Sequence, residues 1–169
     1  MKEELNLPCP YKVTLDTQTF IYSFITKNLI EYNVTFADSV YLFDGTSAQH
    51  HITKVYTLNI EKISLAIEPL DFNVRKTIDG IITHFFIDPE NSIIYLCDAG
   101  DKKELLRRNK FNDWYAKSHH KNEVSKIDES IIVDQDTIYY TCLLYHNQNP
   151  FKEALQNSYN EVIASLKDK

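Results

Sequence analysis

Arginine and aromatic residues are concentrated between Asp101 and Ser118, where they could bind an anion. On a helix of 3.6 residues per turn, one side of this segment carries two guanidinium groups and three aromatic rings, those of Arg107, Arg108, Phe111, Trp114 and Tyr115. Arginine offers a fork of donors to phosphate or carboxylate and also stacks on rings, so this side predicts an anion-binding site. The structural alternative is that the arginine stems cover an edge of the core and pair with acids such as Glu104.

The histidine pair His119–His120 follows this segment, beside Lys117 and Lys121. Histidine, lysine and arginine together can supply the proton transfers and phosphate stabilisation of metal-free RNA cleavage. An RNA-directed effector is therefore one hypothesis, and His119 joins the candidate ligand-binding residues. The alternative is an exposed basic helix end, where positive charge is favourable beside the helix dipole.

Charge is distributed unevenly along the chain. The net charge is −6, yet residues 102–126 contain eight Lys or Arg and three acids (+5), and the rest contains ten basic and twenty-one acidic residues (−11). A basic face on an acidic body favours an anionic ligand or nucleic acid bound through residues 102–126. A solvated helix surface would produce the same pattern.

Metal and cofactor sites are not predicted. The three cysteines are far apart and lack Cys-x-x-Cys spacing, and Cys97 and Cys142 lie in apolar runs that indicate reduced core residues. His50 and His51 would point to opposite faces of a strand, which makes them a poor chelating pair.

Hydrophobic segments of the chain indicate where in the cell the protein is expected to be found. The N-terminal segment has no hydrophobic signal region, and no apolar run approaches the 18 residues of a membrane-spanning helix. These features predict a cytoplasmic protein with no membrane partner.

A buried strand, Ile93–Cys97, is predicted to position the arginine-bearing helix. The turn residues Asp98 and Asp101 follow it, and either could cap the helix by accepting hydrogen bonds from its free amides. The same carboxylates could instead hold a cation or act as a base at the end of the strand.

The first part of the chain reads as strands. Residues 1–10 are expected to be a flexible lead-in, and period-two alternation predicts an antiparallel meander over residues 11–36. Residues 37–52 could add one short strand at their apolar run, and a further strand is predicted within residues 53–65.

Two more helices are predicted from apolar stripes. The first, capped by Asp71 or Asn73, would bury Val74, Ile78, Ile81, Ile82 and Phe85. The last begins at Asn149–Pro150, a capping side chain followed by proline, and would bury Phe151, Leu155, Tyr159, Val162 and Leu166.

The order of these elements predicts an α+β fold. A mostly antiparallel sheet would be built from the N-terminal meander and a C-terminal hairpin, with its strands in residues 123–133 and 138–145. About three helices would pack on this sheet, and residues 11–169 would form a single domain.

The order of strands and helices over residues 54–146 resembles the later part of the Gcn5-related acetyltransferase fold. That family holds the coenzyme A pyrophosphate with a loop of the pattern Arg/Gln-x-x-Gly-x-Gly/Ala, which Arg75 to Gly80 resembles except that Ile78 replaces the first glycine. The resemblance implies a divergent acyl-CoA-dependent N-acetyltransferase-like enzyme. The alternative is that Ile78 belongs to the apolar helix stripe.

Several motifs between residues 11 and 165 are similar to a family of small bacterial proteins, domain of unknown function 6169. The longest are Thr77-Ile78-x-x-Ile81-Ile82-x-x-Phe85-Phe86, Asn91-Ser92-x-Ile94-Tyr95-Leu96-Cys97-Asp98 and Leu143-Leu144-Tyr145-His146-Asn147-x-Asn149-Pro150. The resemblance implies a bacterial cytoplasmic protein and supplies no catalytic residues.

Together these features predict a non-enzymatic interaction module. It would bind a protein partner, a second copy of itself or an anionic ligand through the basic-aromatic helix. The alternatives are the acetyltransferase-like enzyme and the RNA-directed effector.

Overall fold

Eight strands and three α-helices form the fold in the computed structural model of the chain, which describes residues 1–67, 69–97, 103–135 and 137–168. Their bounds are β1 Lys2–Leu5, β2 Val13–Asp16, β3 Ile21–Ile25, β4 Glu31–Asp38, β5 Val55–Lys62, α1 Phe72–Phe85, β6 Ser92–Cys97, α2 Glu104–Ala116, β7 Val124–Ile132, β8 Ile138–His146 and α3 Lys152–Lys167. The predicted α+β class, with a mostly antiparallel sheet and three helices, is confirmed.

The strands lie in the order β1-β2-β3-β4-β5-β6-β8-β7. The pairs β1–β2, β2–β3 and β3–β4 are antiparallel, as expected of a meander. β5 and β6 pair in parallel, which requires a long connection, and α1 lies in that connection. β8 lies between β6 and β7 and is antiparallel to both.

Strand β1 falls within residues 1–10, which were expected to be a flexible lead-in. It pairs antiparallel with β2, with Lys2 opposite Asp16 and Leu5 opposite Val13. Its first three side chains are charged and exposed, so no hydrophobic alternation marks the strand in the sequence. Backbone pairing along β2, rather than burial of side chains, therefore makes this segment a strand.

The chain forms two compact units. One comprises residues Met1–Ala37 and Leu58–Ile87, and the other comprises Asp38–Thr57 and Asp88–Lys169. The single domain expected over residues 11–169 stays a prediction.

In the first unit, α1 begins at a predicted cap. The Asp71 side chain accepts a hydrogen bond from the Asn73 N–H at 2.9 Å, and the same carboxylate accepts one from the Tyr11 hydroxyl at 2.5 Å. The apolar stripe is buried at Ile78, Ile81 and Ile82, and only partly buried at its two predicted ends.

Two short 3-10 helices, Val40–Phe43 and Gln49–His51, lie in the segment where one short strand was a possible prediction. Phe43 is buried in the core of the second unit, which holds the first of these turns in place. His50 and His51 are therefore exposed residues of a helical turn rather than of a strand.

In the second unit, α3 packs on one face of β8 through Leu143 and Tyr145. Its buried residues Leu155, Tyr159 and Ile163 recur every fourth position, whereas the predicted Leu166 is 42% exposed. The last helical turn thus leaves the core, and the prediction for Leu166 is wrong. The Asn149 side chain accepts a hydrogen bond from the Phe151 N–H at 2.8 Å, in the turn that leads into α3.

Candidate functional site

Helix α2 lies on the face of β6 and β8 opposite to α3. Alternation along β8 places Cys142 beside α2 residues, while the neighbouring Leu143 packs against α3. None of the α2 residues is buried, so a few partly covered side chains attach it. One of them is Phe111, whose ring stacks on that of Tyr95 with centroids 4.1 Å apart.

The start of α2 differs from the expected one. The helix begins at Glu104, and its N-terminal cap position, Lys103, makes no side-chain capping hydrogen bond. The predicted caps Asp98 and Asp101 lie outside the described residues.

A cleft of about 200 Å³, open to solvent at its mouth, separates α2 from the sheet. Side chains from α2, β6, β7 and β8 line it, namely Tyr95, Arg108, Phe111, Asn112, Lys126, Asp128, Tyr140, Thr141 and Cys142. Two cationic groups and the Asp128 carboxylate therefore line a small cavity whose remaining side chains are uncharged.

Arg108 is the cation on the helix side of this cleft. Its guanidinium carbon lies 4.7 Å from the centroid of the Tyr140 ring, a cation–π arrangement. Within the described parts of the chain, the guanidinium has neither a carboxylate partner nor a hydrogen bond. Its fork of donors is thus available to an incoming anion.

Lys126 is the cation on the strand side. Its side chain is only 5% exposed, and its ammonium pairs with Asp128, two positions along β7. The ammonium also donates to Asn112 Oδ1 of α2 at 2.7 Å. These contacts hold the ammonium at the junction of α2 and β7.

Neutral groups complete the walls. Burial raises the pKa of the Cys142 thiol to about 12. Burial also raises the pKa of the Tyr95 hydroxyl, and its hydrogen bond with Cys97 raises that pKa further. Near neutral pH the charges lining the cleft are those of Arg108, Lys126 and Asp128, a net of +1.

A family model covers this part of the chain. Residues 70–161 match the model described as "Family of unknown function (DUF6169)", which is more than half of the chain. The chain belongs to the DUF6169 family. Among curated proteins and solved structures, none matches the chain. The DUF6169 match includes every residue that lines the cleft.

The structure brings together only some of the residues predicted for the site. Arg108 and Phe111 line the cleft, whereas the adjacent Arg107 is exposed and does not. Trp114 lies beside Phe111, with ring centroids 6.4 Å apart, and the Lys110 ammonium is 5.0 Å from its ring centroid.

Tyr115 and His119 also lie outside the cleft lining. The Tyr115 hydroxyl donates to the Val124 carbonyl at 2.6 Å, so this residue ties the end of α2 to the start of β7. His119 is exposed, while its neighbour His120 is 5% exposed. The histidine pair therefore presents one accessible ring rather than two.

Sequence reasoning missed Lys126, Asp128 and Asn112. Lys126 and Asp128 are two residues apart on a predicted strand, so the sequence predicts that their side chains lie on the same face of the sheet. Nothing local says that this face is the one covered by α2.

The acetyltransferase-like loop is not formed in this DUF6169 chain. Arg75 to Gly80 lie inside α1, and Ile78 is 1% exposed. Amides in the interior of a helix bond to carbonyls one turn back, so they cannot cradle a pyrophosphate as a helix N-terminus does. The apolar stripe explains Ile78.

The described residues contain neither a cluster of metal-ligating side chains nor a membrane-spanning helix. Across these residues no three His, Cys, Asp or Glu side chains come together as a metal site. None of the described helices combines the length and apolar character needed to span a bilayer.

Proposed function

We propose that this DUF6169 chain is a non-enzymatic binding module that holds a carboxylate of an acidic protein segment in the cleft between α2 and β7–β8. Arg108 carries the proposal, because its guanidinium lines the cleft without a carboxylate partner among the described residues. A half-buried arginine in this state is stabilised by a bound anion.

The size of the cleft limits what it can bind. Much of its empty volume of about 200 Å³ is open to solvent, and the enclosed part holds little more than one water molecule. A single carboxylate at the solvent-open mouth would be close to Arg108, whereas a nucleotide or coenzyme A would lie mostly outside. We therefore expect the cleft to receive one side chain of a larger partner.

The charge of the cleft favours a monoanion. Arg108 and Lys126 contribute two positive charges, and Asp128 removes one while pairing with Lys126. A carboxylate neutralises the remaining charge, whereas a phosphate dianion would meet Asp128 with excess negative charge. The excess of lysine and arginine in residues 102–126 would draw acidic partners toward this face.

The test compares a capped tetraglutamate peptide with capped tetraglutamine, by calorimetry at fixed ionic strength. We expect binding of the glutamate peptide only. Arg108→Gln should weaken it by about tenfold, the effect of one charge-assisted hydrogen bond. The matched control is Arg107→Gln, which removes the same charge from the exposed position next to it and should change affinity by less than about twofold.

Equal effects of the two substitutions would show that the peptide binds the helix surface and not the cleft. Tighter binding of single-stranded RNA than of tetraglutamate, with a steep salt dependence, would replace this proposal with the nucleic-acid hypothesis. No binding of either probe would remove the anion site.

A further inference from the structure

Strand β7 has one long side without a neighbouring strand. It is the last strand in the sheet order, and β8 pairs with only one of its edges. The Glu123 carbonyl accepts from the Asn147 N–H, and the Val133 N–H donates to the Thr137 carbonyl. In an antiparallel pair, the backbone N–H and carbonyl groups of successive residues point alternately toward and away from the partner strand. The backbone groups of odd-numbered β7 residues therefore bond to β8, and those of even-numbered residues point away from the sheet.

The backbone groups of one such residue, Val124, already have hydrogen-bond partners within the chain. Its N–H donates to the His120 carbonyl at 2.9 Å, and its carbonyl accepts from the Tyr115 hydroxyl at 2.6 Å. The remaining outward residues are Lys126, Asp128, Ser130 and Ile132. In the described part of the chain, no hydrogen bond reaches the backbone groups of these four.

Uncovered edges of this length are unusual. The other end of the sheet is β1, which has only four residues, and very short edge strands discourage pairing. β7 has nine residues and ends in Ile132, whose side chain is 70% exposed. This edge can accept another strand.

We propose that β7 pairs antiparallel with β7 of a second copy of this chain, about a two-fold axis at Glu129. Lys126 then lies opposite the second copy's Ile132, and Asp128 opposite its Ser130. In this register every outward N–H and carbonyl group that lacks a hydrogen bond pairs with the second copy, and the pairing ends before the turn that covers Val124. An axis nearer Lys126 would run the second strand into that turn.

Charge supports this register on the α3 side of the sheet. Ile127 lies opposite Ile131 of the second copy, which is only 3% exposed in its own chain, so the apolar contact there is small. Glu129 faces its own symmetry mate, and each carboxylate has the Lys167 ammonium 3.3 Å away, so two cations accompany two anions. An axis centred on Asp128 would instead place Ile132 opposite Val124 of the second copy, whose N–H and carbonyl are already hydrogen-bonded within its own chain.

Cysteine cross-linking tests the register directly. Residues opposite each other in a non-hydrogen-bonded antiparallel pair have Cα atoms about 4.5 Å apart, within reach of a disulfide. In a Cys9→Ala background, Glu129→Cys should form a covalent dimer on mild oxidation. Ser125→Cys is the matched control on the same face of β7, and it should stay monomeric because its symmetry mate is several residues away.

Sedimentation measures the association itself. Ser130→Pro removes an outward N–H that takes no part in the β8 ladder, so the fold should tolerate it while dimer affinity falls by about tenfold. Ile132→Lys is the second variant, because it changes an exposed side chain and places a lysine opposite Lys126 of the second copy. A wild-type protein that sediments as a monomer up to its solubility limit, or equal cross-linking of both cysteine variants, would overturn the proposal.

Discussion

Phe111 of α2 stacks on Tyr95 of β6, with ring centroids 4.1 Å apart and 22° between the ring planes. This contact joins the helix that carries Arg108 to the strand that forms the floor of the cleft. Because none of the α2 residues is fully buried, the position of the guanidinium depends on a small number of such contacts.

Replacing the Phe111 ring should loosen α2 more than it unfolds the protein. Phe111→Ala removes the stack and should lower the free energy of unfolding by ~2 kcal/mol, less than for a fully buried ring. Hydrogen exchange should accelerate throughout α2 and little in α3. Leu106→Ala, at a side chain that is 67% exposed, is the control and should change neither quantity. Uniform acceleration of exchange in both helices would contradict a local role for the stack.

Gly80 illustrates a different constraint, in the first unit. A Cβ atom added there would lie 2.9 Å from the Cβ of Cys9. Alanine is favoured over glycine inside a helix by about 1 kcal/mol, but overpacking costs about 1–3 kcal/mol. Gly80→Ala should therefore destabilise the protein in urea unfolding.

A double-mutant cycle separates these two effects. Adding Cys9→Gly to Gly80→Ala removes the crowding atom, and the alanine should then stabilise relative to Cys9→Gly alone. A stabilising Gly80→Ala in the wild-type background would show that the Cys9 segment yields without cost.

The ion pair of Lys126 and Asp128 should respond asymmetrically to removal of either partner. The Lys126 side chain is 5% exposed and that of Asp128 is 40% exposed. Asp128→Ala leaves a covered ammonium with Asn112 alone and should cost about 2 kcal/mol of unfolding free energy. Lys126→Met leaves a carboxylate that water can reach and should cost less than about 1 kcal/mol. Equal small losses in chemical unfolding would mean that the pair behaves as an exposed one.

Acid should weaken the cap of α1. The hydrogen bond from the Tyr11 hydroxyl, together with that from the Asn73 N–H, holds the pKa of the Asp71 carboxyl below its usual range. A carboxyl with a lowered folded-state pKa contributes stability above its unfolded-state pKa, and this contribution is lost as pH falls through the folded-state value. Unfolding free energy should thus decline below about pH 4.

The dependence on Asp71 can be isolated from that of other carboxyls. Tyr11→Phe removes the donor but leaves the carboxylate, and Asp71→Asn keeps a capping side chain without a titrating group. Both variants should lose stability less steeply than the wild-type protein over the acid range. Parallel curves for all three proteins would assign the acid dependence to other residues.

Most elements of this fold were readable from the sequence because they depend on local periodicity. The stripe of Ile78, Ile81 and Ile82 and the capping side chain of Asp71 sit within a few residues of each other, so sequence distance approximates spatial distance. Strand β1 and the two 3-10 helices were not readable. Pairing along β2 and burial of Phe43, both supplied by other parts of the chain, decide those segments.

The candidate site divides in the same way. Sequence alone placed Arg107 and Arg108 on one side of a helix together with aromatic rings, since helical spacing determines that much. Adjacent residues differ by about 100° around a helix, so only the docking of α2 could decide which arginine meets the sheet. In the tertiary structure Arg108 faces the sheet, with Lys126 and Asp128 opposite it. The sequence could not predict this arrangement, because residues that face each other from different elements share no local pattern.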